Sequence, residues 1–503
     1  MDTLKDKAAK GFIWSALNSG TTQLLGAVFG IILGRLLCED DYGLIGMINI
    51  FGAIANSLQE SGFITALINR KDATHKDFNS VFWFNVSVSI FFYVVLFLCA
   101  PLIASFYNEP LLTSLSRYVF LGFLIASFSI VPRAMLIRSL RMKELALMGF
   151  GASLVSGIIG VTMAYNNMAY WGIATQALSF HLFISVSSWL VSGWRPSFKV
   201  TFQPVKEMFG FSSKMLVTNI VNQVNKELFS VVFGRFYDKG QVGCYNQANK
   251  WNLMGTNTIT GMVQGIAQPV FVQIGNDNER LVRGFRKMLR LTCFISFPAM
   301  LGLSLVASEF ITILITEKWL AAARLMQMLC VAGAFLPVVT LYYNFLISRG
   351  KSNVYMWNMI AQCTVLLGAV LCVVHVFDRE GLANSFASCD NALCTFLRGY
   401  TQIDIMILSY VVIVVLWLGI WHWCLKREIG IRFRDALRDI LPFMLVAAGS
   451  MIATYLITSF ITNIYLLIVV RILLAASLYL GIMWLLGAAI MRECLDYIFK
   501  KKH

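Results

Sequence analysis

Two lysines stand inside stretches that are otherwise apolar, and side-chain amides surround each of them. Lys226 follows Asn219, Asn222, Gln223 and Asn225, with Glu227 beside it. Lys250 follows Asn246, Gln247 and Asn249 and precedes Asn252 and Asn257, with Gln264 and Gln268 further along. Ammonium groups hold anionic oxygens, and amides both donate to and accept from hydroxyl-rich molecules. Gln23, among Asn18, Ser19, Thr21 and Thr22, marks a third segment of this kind; Asn49, Asn56, Gln59 and Glu60 mark a fourth. An ionised side chain at the bilayer centre costs about 2.5–3.5 kcal/mol on insertion scales. Amides and lysines concentrated in membrane segments therefore point to a hydrated cavity suited to an anionic cargo. Glu60 and Glu227 are the carboxylates placed to relay a proton or cation.

Each of these residues also has a plainer reading. Lys226 and Glu227 can neutralise each other or neighbouring helices, although adjacent helical residues point about 100° apart. Lys250 can snorkel to the interface from the end of its segment. Arg35 and Arg235 lie at helix ends, where interfacial anchoring competes with a role toward cargo, and Arg471 reads as another interfacial anchor. The stretch 57–62 can be a polar helix kink instead of an ion relay.

The elements that must position these residues are transmembrane helices. Of 503 residues, 58% are hydrophobic and 13% charged, with a mean hydropathy of +0.70. A soluble domain needs far more surface charge. About fourteen stretches are long enough to cross a bilayer core: 12–37, 42–68, 80–106, 112–136, 145–165, 169–192, 211–233, 245–274, 289–307, 325–347, 354–377, 403–424, 436–460 and 464–490. Runs such as 90–98 and 405–418 are apolar on every side, with none of the two-residue alternation of a membrane barrel. The helix, which satisfies its backbone within itself, is the remaining solution.

Basic residues crowd every second connection: Lys5, Lys7 and Lys10; Arg70, Lys71 and Lys76; Arg138, Arg141 and Lys143; and so on to Lys500, Lys501 and Lys502. The opposite side has mainly Arg35, Arg235, Lys239, Lys318, Arg379 and Arg398. The positive-inside rule then predicts both termini in the cytoplasm and an even number of spans. The net charge of +15 is spread over short loops, which suits anionic lipid headgroups and not nucleic acid. His75, His181, His375, His422 and His503 show no metal-ligand spacing. No full Gly-x4-Gly-Lys-Ser/Thr phosphate-binding loop and no sizeable extramembrane domain is present, so neither a cofactor nor an enzymatic activity is expected. The cysteines lie mostly within spans; Cys389 and Cys394 stand on the outer side.

Gln23, Gly34, Arg35 and Gly43 recur two hundred positions later as Gln223, Gly234, Arg235 and Gly243. In both places the residues join the first span of a half to its second. Chance in an apolar text is one explanation; duplication of a six-helix half, as in many transporters, is the other. Duplication predicts halves at 1–200 and 201–425 and two added helices at 426–503.

The stretch 34–85 contains Asp41-Tyr42-Gly43-Leu44-Ile45-Gly46-Met47, Ser61-Gly62-Phe63, Arg70-Lys71-Asp72 and Asn79-Ser80-Val81-Phe82-Trp83-Phe84-Asn85. With Trp421-His422 and Arg427-Glu428-Ile429-Gly430, these strings closely resemble bacterial polysaccharide flippases of the multidrug/oligosaccharidyl-lipid/polysaccharide exporter superfamily. The resemblance implies an all-α integral membrane fold of two six-helix lobes in a V, with the first, second, seventh and eighth helices lining a central path. It implies a bacterial inner-membrane location and a polyprenyl-diphosphate-linked oligosaccharide cargo. Polysaccharide polymerase and assembly proteins are the partners implied. Lys226, Lys250, Arg35 and Arg235 would then meet the diphosphate, and Asn222, Gln223, Asn249, Asn257 and Gln23 the sugars. An ion-coupled drug or cation antiporter on the same fold is the alternative; it would want buried carboxylates where this chain has lysines. The segment 378–402 is longer and more polar than the resemblance predicts.

Overall fold

The computed structural model describes residues 4–59, 67, 74–198, 203–274, 277–376, 400–487 and 491. The expectations for Glu60 and nearly all of 378–402 fall outside them, as do Cys389 and Cys394. Every regular element among the described residues is helical, and the protein is an all-α integral membrane protein. Two compact units divide the chain at Asn246 and Gln247.

The first unit contains α1 (Leu4–Leu36), α2 (Glu39–Gln59), α3 (His75–Tyr107), α4 (Leu112–Ser127), α5 (Ile130–Arg138), α6 (Met142–Tyr165), α7 (Tyr170–Ser192), α8 (Gln203–Phe236) and the start of α9 (Lys239–Ile274). The second holds the rest of α9, α10 (Asn278–Leu305), α11 (Ala307–Ile315), a 3-10 turn (Glu317–Trp319), α12 (Leu320–Ser348), α13 (Ser352–Val376), α14 (Gln402–Ile429), α15 (Phe433–Thr458) and α16 (Ile464–Leu485).

Helices coincide with all the expected spans. Among the described residues, ten are long and apolar enough to cross a membrane, or eleven if α4 and α5 form one bent span. The short α11 misses this standard, and so do three longer helices, α2, α8 and α9, which are three of the four segments marked by their amides.

Local chemistry sets the ends. Thr74 and Asp77 form a reciprocal capping box at the start of α3, and Thr401 and Asp404 do the same for α14. The expected single span 112–136 is instead two helices bent by 40°. At the break the Ser127 and Ser129 hydroxyls bond back to Leu124 and Ala126, and Trp189 Nε1 donates to the Phe128 carbonyl at 2.8 Å. A backbone group freed inside a membrane needs such a partner. Hydropathy cannot register the break, because its residues are apolar or small.

In the first unit, α6 and α7 pack through Gly160 and Gly172, where an added Cβ would meet the other helix's carbonyl at 3.2 and 3.0 Å. Small residues let membrane helices approach this closely. In the second unit α12 is the central helix, with 78% of its apolar window buried.

Charged pairs fasten α15 and α16 within the second unit. Asp439 on α15 accepts from Arg286 Nε at 2.6 Å and Nη2 at 3.1 Å, with Arg290 at 3.5 Å, both on α10. Arg471 on α16 is 6% exposed and pairs with Glu309 on α11 while donating to Thr458. Interfacial anchoring of Arg471 is therefore corrected: α11 brings a carboxylate to it, a contact between positions too far apart in sequence for local pattern to reveal. Removing one partner of a buried pair costs about 3–5 kcal/mol. Arg471→Leu is accordingly expected to lower the thermal midpoint of the purified protein, and Arg471→Leu/Glu309→Leu to regain most of the loss. A single variant as stable as the double would refute this.

Candidate functional site

The helix pairs α1–α2 and α8–α9 are each joined by a two-residue turn, Leu37-Cys38 and Tyr237-Asp238. Asp41 organises the first: its Oδ2 accepts from the Cys38 amide at 3.0 Å and the Cys38 thiol at 3.1 Å. Glu39, Asp40 and Asp41 put negative charge in the first turn of α2, where the helix dipole favours it.

The starts of α2 and α9 cross backbone to backbone. A Cβ on Gly43 would lie 1.9 Å from the Lys239 carbonyl oxygen, and a Cβ on Gly243 1.9 Å from that of Glu39. The two contacts are related by the same offset of two hundred positions as the repeated residues. Any side chain at either position would hold the helices apart. Lys239 Nζ clasps the crossing, 3.6 Å from Asp40 and 4.0 Å from Glu109.

Below the crossing, Gly46 packs against Asn246 and Gly234 against Tyr107 and Met47. Ser230 Oγ donates to Asn246 Oδ1 at 3.0 Å, and Glu227 lies within hydrogen-bonding reach of Ser230. Tyr107 Oη and Asn246 Nδ2 are buried without a hydrogen-bond partner. Arg235 is tied down beside them, donating to the Phe106 carbonyl at 2.7 Å with its guanidinium 5.3 Å from the Phe106 ring centre.

On α8, Asn219, Asn222, Gln223 and Lys226 have the spacing of one helical face. The first three are half-buried and Lys226 is exposed. Glu227, half-buried, belongs to the Ser230–Asn246 cluster instead. Gln23 on α1 is half-buried and Arg35 at its end is exposed.

On α9, Asn246, Asn249, Lys250, Asn257 and Gln264 form a similar stripe. Asn249 and Lys250 are half-buried, Asn257 and Gln264 exposed; Lys250 Nζ lies 5.5 Å from the Trp251 ring centre. Gln264 donates to Tyr343 Oη at 2.9 Å. Asn252 and Thr256 face away from this stripe and pack onto Gly333.

The structure thus joins Glu227 to Ser230 and Asn246, and holds Arg235 to the end of α3. It leaves Lys226 and Asn257 exposed on polar helices and ties Gln264 to Tyr343. Gly43, Gly243 and Lys239 complete the site. The constant offset singled out the glycines, but their sequence context does not say that they touch.

This helical arrangement has the fold of solved membrane transporters. The structure superposes on the "Lipid II flippase MurJ, inward closed conformation" with a TM-score of 0.72 at 14% identity, over 96% of this chain and 100% of that one. An inward-facing multidrug resistance MATE family transporter gives 0.57 at 13% identity, over 86% and 95%. By sequence the chain belongs to the polysaccharide biosynthesis protein family, whose model matches residues 32–324. It is 27% identical to the lipopolysaccharide biosynthesis protein WzxC of Escherichia coli (strain K12), over 70% of this chain and 72% of that protein. It is 22% identical to the succinoglycan biosynthesis transport protein ExoT of Rhizobium meliloti (strain 1021), over 88% and 91%.

Proposed function

We propose that this protein moves polyprenyl-diphosphate-linked oligosaccharide from the cytoplasmic to the outer leaflet of the inner membrane by alternating access, for surface polysaccharide assembly. Lys226 carries this reading. It is exposed within α8, ten residues before the helix ends, on a face that bears half-buried amides. Lipid would exact the insertion penalty of a charge, so the exposed side of that face belongs to water and a hydrated anion. A diphosphate needs cations during passage, glycans need amides, and the polyprenyl tail can stay in hydrocarbon. The fold and family support the same assignment.

Fourteen spans with both termini cytoplasmic place the α1–α2 and α8–α9 turns on the outer side. Halves at 1–200 and 201–425, followed by two helices at 426–503, complete the arrangement. The glycine crossing then closes the outer end of the path. Burying Tyr107 Oη and Asn246 Nδ2 without partners costs about 1–3 kcal/mol each, which opposes the close packing and allows the crossing to reopen. Polysaccharide polymerase and assembly proteins are the partners that would receive the cargo. The chain performs transport and no covalent chemistry.

Proteoliposomes loaded with a fluorescent polyprenyl-diphosphate glycan test this by leaflet transfer. Protein-dependent transfer is the expected result. No transfer, together with ion-driven efflux of an organic cation, would instead establish the antiporter.

A further inference from the structure

A groove of about 460 Å³ opens where the end of α12, the start of α13 and the end of α14 meet in the second unit. Its rim carries two exposed cations, Lys351 and Arg427. Glu428 lies 3.5 Å from Lys351 Nζ and offsets one of them. The Arg427 guanidinium lies over Trp423, 3.6 Å from the ring centre, and the residue is exposed. Asn358 closes the floor, donating to Val354 O at 2.9 Å and lying 3.5 Å from Cys424 Sγ.

Two large indoles flank the groove and are not packed away: Trp357 is 64% exposed and Trp423 52%. Trp357 lies six residues along α13 from Lys351, about 9 Å further down the helix axis. Trp423 precedes Arg427 by about one helical turn. Cations at the rim with indoles beneath reproduce the layering of a membrane interface, where Trp sits at headgroup depth. The groove also receives the N-terminus of α13, whose first-turn N–H groups favour an anion.

We infer that this groove binds the headgroup of an anionic phospholipid, with Lys351 and Arg427 on the phosphodiester and Trp357 and Trp423 against the glycerol and upper chains. Basic pockets between transmembrane helices take such headgroups. The charge balance selects the ligand: two cations and one carboxylate leave a net +1, matched to a monoanionic phosphodiester and short of what a diphosphate requires. None of the groove's lining residues belongs to α8 or α9. The proposed orientation places it in the inner leaflet.

Photo-crosslinking in phosphatidylcholine vesicles containing a trace of diazirine phosphatidylglycerol tests this inference. Label is expected on peptides spanning 351–358 and 423–428, falling at least fivefold in Lys351→Gln/Arg427→Gln. A monodisperse elution profile and an unchanged thermal midpoint show that the same variant is folded. Equal labelling by diazirine phosphatidylcholine, or undiminished labelling of the variant, would overturn the site. Displacement of the label by equimolar undecaprenyl diphosphate would assign the groove to the cargo and also overturn it. The probe occupies both leaflets, so the result is independent of whether the proposed orientation or transport activity holds.

Discussion

Cysteines at positions 39 and 240 are expected to stop transport on oxidation and to restore it on reduction. A Cβ built on Gly240 lies 3.9 Å from the Cβ of Glu39, inside the roughly 3.5–4.5 Å window of a disulfide. The variant Glu39→Cys/Gly240→Cys, made in a Cys38→Ser background to remove the neighbouring thiol, should therefore cross-link in high yield. If the crossing of α2 and α9 seals the outer end of the path, the linked protein cannot release cargo there. Transfer should drop below about one-tenth of the reduced rate, because a covalent bond leaves no thermally accessible open state. Recovery with reductant separates this from misfolding, and each single variant serves as a control. A fully linked protein that transports at the reduced rate would show that the crossing never opens.

Replacing the two lysines by glutamine should have an effect of similar size through a different term. A hydrogen bond to a charged group is worth about 1.5–3 kcal/mol, and about 1.4 kcal/mol is tenfold. Lys226→Gln and Lys250→Gln are each expected to slow leaflet transfer of a diphosphate-linked glycan about tenfold. The double variant should slow it about a hundredfold if the two ammonium groups meet different oxygens. Lys226→Arg should keep most of the rate, since it retains the charge. Glutamine preserves length and polarity, so a monodisperse double variant at the wild-type rate would dismiss the phosphate role of both lysines.

The architecture was readable because it rests on local quantities. Hydropathy over about twenty residues marks a span, and helices lie at every stretch so marked. The polarity of α2, α8 and α9 was equally plain, since their amides sit in the primary text. The path-forming role proposed for these helices comes from what lipid forbids. Pairings were not legible in the same way. Arg471 reads as an interfacial anchor from its place in an apolar run, yet Glu309 reaches it from a short helix 162 positions earlier. The bend between α4 and α5 was hidden because Trp189, far along the chain, satisfies the freed carbonyl of Phe128. Lys351 and Arg427 looked like two members of a long list of cytoplasmic bases until the fold set them on one groove.

The amino-acid sequence by itself determined that the chain is helical, membrane-embedded and studded with cations and amides on particular helices. Those properties follow from the solvation of each segment taken alone. Tertiary structure decided which groups meet: Gly43 with Lys239, Gly243 with Glu39, Arg471 with Glu309, and two rim cations above two indoles. Such contacts depend on how helices cross, and the crossing is set by shape complementarity summed over residues hundreds of positions apart. The repeated glycines stand between the two cases. Their spacing is written in the sequence, but only the folded chain shows that each glycine lets the backbone of the other helix come close.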